Sequence, residues 1–202
     1  MLFEAQGELV KAKKIYEGLK VKDETVPGPW KRLVSVNKAM NLYERATLEL
    51  VKYLEIWMTD VEAWKELTNL YLAAEQHKHA AHCIEECILF EPYHYAHHVL
   101  YAEVQYTIGG IDGVELAKKH YQTALELKPN CARALYGLSL CTAALGSGTS
   151  KNKPKEGVGE HMTSLFELTM EKLEVAYAKS SDKGALMSKS LNQLREDTGL
   201  GK

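Results

Sequence analysis

The chain has 202 residues, a formal net charge of −2 and 46% hydrophobic residues, which is enough for one sizeable core or for several stacked helical hairpins. The nearly neutral charge favours neither nucleic acid nor an anionic membrane as a partner. No stretch approaches the ~20 apolar residues that span a bilayer. The four cysteines fall within helical patterns, so we expect reduced thiols and a cytosolic protein.

Residues 1–26 have the pattern of the end of a helical repeat. Gly7 marks a turn, and Ala12 and Tyr16 lie on one face of the helix that follows it. Residues 1–6 leave little of a preceding helix. A repeat array that started there would leave an apolar face uncovered. We therefore expect this sequence to be a truncated form, a partial gene model or a fragment of a longer array.

The repeat pattern is clearest in residues 61–94. Trp64 and Tyr71 lie on one face of a first helix, and Ala80 lies where a second helix must approach the first closely. Pro92 then ends the second helix. A helix–turn–helix of this length and pattern resembles a tetratricopeptide repeat (TPR). Such a hairpin cannot bury its apolar face alone, so the pattern predicts copies on either side.

The same spacings recur before and after this repeat. We predict further repeats at residues 27–60, 95–131 and 132–179, a surface turn at 109–113, a flexible loop at 146–159 and a capping helix at 182–196. The chain is therefore predicted to be all-α. Its fold is expected to be a single right-handed α-solenoid of TPR-type hairpins, in which the first helix of each hairpin lines a concave face.

Histidines and cysteines form a pattern that can be interpreted in two ways. The histidines are His77, His79, His82, His94, His97 and His98, and Cys83 and Cys87 lie near the first three. Two histidines three or four residues apart on a helix can bind zinc. Solvated histidines at a helix start and cysteines that serve as small core residues explain the same pattern. We favour the second interpretation and predict neither a metal nor a cofactor.

Catalytic motifs are missing from the sequence. It contains no nucleophile elbow, no phosphate-binding glycine loop and no HExxH motif. Paired carboxylates such as Glu85 and Glu86 are typical of a solvated helix surface. We therefore predict that the protein is not an enzyme.

The concave face is the predicted binding surface. Its expected members are Lys31, Arg32, Lys38, Glu62, Lys65, Glu66, Asn69, Val99, Leu100, Glu103, Tyr106, Arg133, Tyr136 and Leu140. They form a basic early part and an apolar, aromatic later part, which suits a large protein partner. The alternative for each tyrosine is packing between repeats, with an apolar body in the core and a wet tip.

A more specific groove is only half present. Co-chaperone TPR domains grip a C-terminal carboxylate with lysine, asparagine and further cations on successive first helices. Lys65 and Asn69 match the first pair, and Arg133 matches one later cation. Leu100 and Gly137 stand where a second asparagine and a second cation are expected. A buried carboxylate needs its charge compensated, so this function is the alternative and not the first choice.

Four runs carry a closer resemblance. They are residues 54–64, 66–71, 101–110 and 133–138, and the run Tyr-Ala-Glu-Val-Gln-Tyr-Thr-Ile-Gly-Gly at 101–110 is more specific than a generic TPR requires. Over residues 1–196 the sequence resembles the subunit 2 family of the endoplasmic reticulum (ER) membrane protein complex. That resemblance also implies that further repeats precede the equivalent of Met1.

The resemblance implies a role. Subunit 2 is a soluble, non-catalytic TPR scaffold on the cytosolic side of the ER membrane. It cradles cytosolic parts of the membrane subunits and docks another soluble subunit. The whole complex inserts transmembrane segments, including tail anchors, into the ER membrane. We therefore expect a peripheral ER protein whose partners are other subunits of that complex.

Overall fold

The computed structural model describes residues 2–146 and 158–178, together with positions 189, 192, 193 and 196. These residues form helices and no strand, which confirms the predicted all-α class. The helices are α1 (Leu2–Ala5), α2 (Leu9–Lys22), α3 (Pro27–Ala39), α4 (Tyr43–Ile56), α5 (Val61–Ala73), α6 (His77–Phe90), α7 (Tyr95–Ile108), α8 (Gly110–Leu127), α9 (Ala132–Gly146) and α10 (Val158–Ala178).

The helices group into two compact units, Met1–Phe90 and Glu91–Lys202. Within each unit, consecutive helices pack against each other. This is the arrangement of helical hairpins. The single domain predicted from the sequence stays a prediction, as do the repeat boundaries.

In the first unit, small residues let the four helices α3, α4, α5 and α6 pack closely. Ala46 and Ala80 are 0% exposed, so that nothing larger than a methyl group separates the helices at these points. Around them lies a core that includes Trp30, Leu50 and Leu67. The Nζ atom of Lys20 lies 3.6 Å from the centroid of the Trp30 ring. This cation–π contact links α2 to α3.

In the second unit, α7 and α8 meet at a turn that is tighter than predicted. The surface turn expected at residues 109–113 is wrong, because α8 already begins at Gly110. Gly109 and Gly110 have φ angles of +80° and +78°, which only glycine adopts without strain. Gly113 then lies in α8, where an added Cβ would come within 3.0 Å of the Gln105 carbonyl oxygen. The extra residues of this repeat therefore lengthen a helix.

The later helices follow the predicted pattern in part. Leu135 of α9 packs with Phe166, Met170 and Leu173 of α10, all of them buried. Of the predicted loop at 146–159, Gly146 belongs to α9 and residues 158–159 belong to α10. Residues 147–157 of that loop, and most of the predicted capping helix at 182–196, lie outside the described residues.

Gly137 of α9 allows a close contact between α8 and α9. A Cβ atom built on Gly137 would lie 2.2 Å from Cζ of the Tyr121 ring on α8, and Tyr121 is only 3% exposed. Burial also raises the pKa of the Tyr121 hydroxyl. The ring can move little in a packed core. Glycine is therefore required at position 137 by packing.

We predict that Gly137→Ala lowers the free energy of unfolding by about 1–3 kcal/mol, because the added methyl group overpacks the core against Tyr121. Gly18→Ala is the matched control, since Gly18 lies in α2 with nothing within 4 Å of an added Cβ. That change should stabilise the protein by about 0.5–1 kcal/mol through helix propensity. Urea unfolding monitored by circular dichroism measures both, and equal effects of the two substitutions would contradict the packing role of Gly137.

Candidate functional site

A cleft of about 450 Å³ opens on the first unit and is lined by residues of α3, α4 and α5. We call it the charged cleft. Its polar lining residues are Lys31, Lys38, Glu62, Lys65, Glu66 and Asn69. All six belong to the predicted binding surface, so the structure brings this part of the prediction together in one place.

Asp60 organises one end of the charged cleft. Its Oδ2 atom lies 2.5 Å from Nζ of Lys31 and accepts a hydrogen bond of 2.6 Å from the Tyr53 hydroxyl. Its Oδ1 atom caps α5 by accepting a hydrogen bond of 3.2 Å from the Ala63 backbone N–H. Burial alone raises the pKa of Asp60, but these three hydrogen bonds outweigh it and hold the pKa below its usual range. One carboxylate thus joins α3, α4 and α5.

The other cations near this cleft are paired in the same way. Lys38 of α3 contacts Glu66 of α5 at 2.7 Å, and Lys65 contacts Glu62 within α5 at 2.9 Å. Arg32, which lies beside this region in the sequence, approaches Glu4 of α1 at 3.9 Å. The early part of the predicted surface is therefore a set of ion pairs and not an uncompensated basic patch.

In the second unit, the predicted binding residues divide by burial. Val99 is 2% exposed and belongs to the core, so it is not available to a partner, and this part of the prediction is corrected. Leu100, Tyr106 and Leu140 are half-buried, whereas Tyr136 is 43% exposed. Burial raises the pKa of the Tyr106 hydroxyl.

Arg133 of α9 is already engaged. Its guanidinium group forms a bidentate ion pair with the carboxylate of Glu103 on α7. This fork-to-fork geometry is the strongest form of an arginine–carboxylate contact. Arg133 therefore holds two helices of the second unit together. The sequence pattern placed both residues on the same surface but did not indicate that they bind each other.

A second cleft was not predicted from the sequence. It has a volume of about 360 Å³ and lies among α4, α5 and α6. Its largest lining side chains are Trp64 and Tyr71, which the repeat pattern places on one face of a first helix. Both are half-buried. Trp64 contacts His82 edge-to-face with ring centroids 6.2 Å apart, and Tyr71 stacks on His79 with ring centroids 5.2 Å apart. The aromatic residues Trp64 and Tyr71, on one face of α5, were the sequence signal that could have indicated this cleft.

The four cysteines are free thiols. Burial raises the pKa of both Cys83 and Cys141 to about 12, so neither carries a reactive thiolate near neutral pH. Among the described helices, none combines the length and the apolarity that crossing a bilayer requires.

A family model described as the EMC2 TPR-like repeat domain matches residues 1–111, which is more than half of the 202 residues. The chain belongs to the EMC2 family. The resemblance to subunit 2 of the ER membrane protein complex, inferred from four short runs, is therefore confirmed. The matched residues include all of the charged cleft.

Relatives of the EMC2 family extend the match beyond residue 111. ER membrane protein complex subunit 2-B of Xenopus laevis is 37% identical over 145 residues, which are 72% of this chain and 49% of the relative. The subunit 2 of Dictyostelium discoideum is 29% identical over 156 residues, with 72% and 48% coverage. The chain spans about half the length of these curated relatives.

A solved structure supports the fold assignment of this EMC2-family chain. The crystal structure of YrrB, a TPR protein with an unusual peptide-binding site, is similar with a TM-score of 0.55 and 19% sequence identity. The match covers 92% of this chain and 95% of YrrB. It confirms the predicted TPR solenoid class.

The network around Asp60 leads to a pH-dependent prediction. Asp60→Asn keeps a capping side chain but removes the charge that Lys31 faces, and it should lower the free energy of unfolding by about 1 kcal/mol at neutral pH. Asp60→Ala also removes the cap and should cost about 2 kcal/mol.

The pH dependence follows from the lowered pKa of Asp60. The charge stabilises the fold above the unfolded-state pKa of about 3.9, and this contribution is lost as the pH falls through the folded-state value. The difference between wild type and Asp60→Asn should therefore be constant down to about pH 5 and narrow below about pH 4. Urea unfolding at several pH values measures it. A difference that widens in acid would contradict this assignment.

Proposed function

We propose that this protein is a non-catalytic scaffold subunit of the ER membrane protein complex. It would lie peripherally on the cytosolic side of the ER membrane and hold cytosolic segments of membrane subunits, together with a soluble subunit, while the complex inserts transmembrane segments. The family match over residues 1–111 carries this proposal. Free thiols at all four cysteines support a reducing, cytosolic environment.

The charged cleft supports the scaffold role through its paired charges. Lys38 and Glu66 have side-chain exposures of 41% and 35%, and such a surface pair contributes only about 0–1 kcal/mol. A partner segment with its own charged residues can therefore replace this pair at small cost. Because the pairing leaves little net field, binding here should depend on shape and apolar contact and should respond weakly to salt.

The face around α7 and α9 offers the aromatic anchors. Tyr136 is 43% exposed, and the half-buried Tyr106 of α7 belongs to the same predicted surface. Tyrosine is enriched among the residues that dominate binding energy. The Arg133–Glu103 ion pair positions the helices that carry both rings. We propose that this face contacts a partner segment through Tyr136.

The alternative function is a co-chaperone adaptor for the acidic C-terminal tails of heat-shock chaperones. Lys65 and Asn69 favour it, since both line the charged cleft. The ion pairs count against it, because Lys65 faces Glu62 and Arg133 faces Glu103. A terminal carboxylate would have to displace these intramolecular partners to be neutralised.

We predict that affinity purification of the tagged protein from detergent-solubilised membranes recovers subunits of the ER membrane protein complex. Asn69→Arg places a long charged side chain at an exposed position in the charged cleft and should reduce recovery several-fold. Asn130→Arg is the matched control, since it introduces the same side chain in the exposed turn after α8, and it should leave recovery unchanged. Recovery of no insertase subunit with the wild-type protein would refute the proposal.

A titration decides between the two functions. We expect an acidic peptide with a free C-terminal carboxylate to bind without saturation at micromolar concentrations, because the candidate clamp cations already have carboxylate partners. Saturable binding that Lys65→Ala abolishes would favour the co-chaperone function instead. Isothermal titration calorimetry measures both cases.

A further inference from the structure

Three metal-ligating side chains converge at the start of the second unit, outside both clefts described above. Glu91, His94 and His97 each offer one ligand atom, and these atoms all lie within 4.8 Å of one another. We propose that Glu91, His94 and His97 form a binding site for a transition-metal dication, with Zn²⁺ as the ion that fits best. This proposal does not depend on the scaffold function, and it revises our sequence-based expectation of no metal.

The backbone brings the three residues together. Glu91 precedes α7, and its carbonyl oxygen accepts a hydrogen bond from the His94 backbone N–H at 3.1 Å. The His94 carbonyl oxygen in turn accepts one from the His97 backbone N–H, also at 3.1 Å. Two successive turns of this kind place residues 91, 94 and 97 on the same side of the chain. Sequence spacing indicated the two histidines, whereas Glu91 joins them only through the turn at Pro92.

His98 also stabilises the turn at Pro92. Its Nε2 atom lies 2.8 Å from the Pro92 carbonyl oxygen and therefore donates a hydrogen bond to it. Its Nδ1 atom is then the acceptor for Nδ1–H of His120 on α8, at 3.2 Å. His98 is 6% exposed. The segment that carries Glu91 is thus fixed to α8, so the site is preorganised.

The side chains differ in exposure in a way that suits metal capture. The His97 side chain is 8% exposed, and its Nε2 atom lies 2.8 Å from Oε2 of Glu91, so these two ligands are already in place. His94 is exposed, and its side chain does not cap α7. Ligand atoms on a tetrahedral Zn²⁺ lie about 3.3 Å apart, given bonds of about 2.0–2.1 Å. The three ligand atoms, all within 4.8 Å of one another, therefore have to move closer by about 1–1.5 Å at most to bind one ion.

The donor set selects the class of ion. Two imidazole nitrogens and one carboxylate oxygen suit zinc and its transition-metal neighbours, whereas Ca²⁺ and Mg²⁺ prefer oxygen ligands alone. The negative charge of Glu91 also offsets the partial positive charge at the N-terminus of α7. A bound metal takes the place of the 2.8 Å hydrogen bond between His97 and Glu91. Three protein ligands leave a fourth position for water.

The test uses the full chain and Zn²⁺ alone. After equilibrium dialysis against ZnCl₂, elemental analysis should find one equivalent of zinc bound to the wild-type protein, and Co²⁺ should give the visible absorption of a four-coordinate ion. His94→Gln removes one direct ligand at an exposed position and should weaken Zn²⁺ binding at least about 10-fold. Glu91→Gln, which keeps a hydrogen-bonding side chain, should also weaken it.

His82→Gln is the matched control. His82 is also an exposed histidine on a helix, and it faces Glu85 at 3.9 Å, so its loss should leave Zn²⁺ affinity unchanged. Far-UV circular dichroism confirms that each variant is folded. Wild-type protein without bound zinc, or an affinity of His94→Gln equal to that of the wild type, would overturn the proposal.

Discussion

The constraint on which the whole structure depends is the close approach of helices at small residues. Six alanines that lie between packed helices are 0% exposed: Ala46, Ala80, Ala102, Ala117, Ala124 and Ala134. Helices separated by larger side chains could not bury the rings that surround these points. Gly137 extends the rule, since it admits the Tyr121 ring where even a methyl group would collide. Each hairpin therefore has a defined geometry.

That geometry determines how the charges are used. The first unit joins α3 to α5 through Lys31–Asp60 and Lys38–Glu66, and the second unit joins α7 to α9 through Glu103–Arg133. These bridges connect helices that are not adjacent in sequence. They neutralise charges on the proposed binding surfaces and tie the first helices together at the same time. Partner recognition by such a surface is expected to rest on fit and aromatic contact more than on electrostatic steering.

Periodicity was sufficient to predict the class of the fold. Ala80, Ile84 and Cys87 lie on one face of α6 and are all buried, as their spacing indicates. The same reasoning places Lys65 and Asn69 together on α5, and both line the charged cleft. Properties that depend on a single helix could thus be read from the residues of that helix.

Contacts between residues on two different helices could not be predicted from the sequence of either helix. The pairing of Arg133 with Glu103 spans 30 positions, and no local pattern indicates it. The turn at Gly109 and Gly110 was misassigned, because consecutive glycines predict a loop unless their positive φ angles are known. Val99 was placed on the surface by repeat register, yet it is buried in the core. Glu91 completes a cluster with His94 and His97 only after the chain has turned.

Site-specific photo-crosslinking within solubilised ER membranes tests the central claim, that the charged cleft holds a protein segment and performs no chemistry. A photoreactive side chain at position 69 should form crosslinks to cytosolic segments of other subunits of the ER membrane protein complex, whereas the same group at position 130 should form few. Crosslinks from position 69 that contain only heat-shock chaperones, or none at all, would contradict the account.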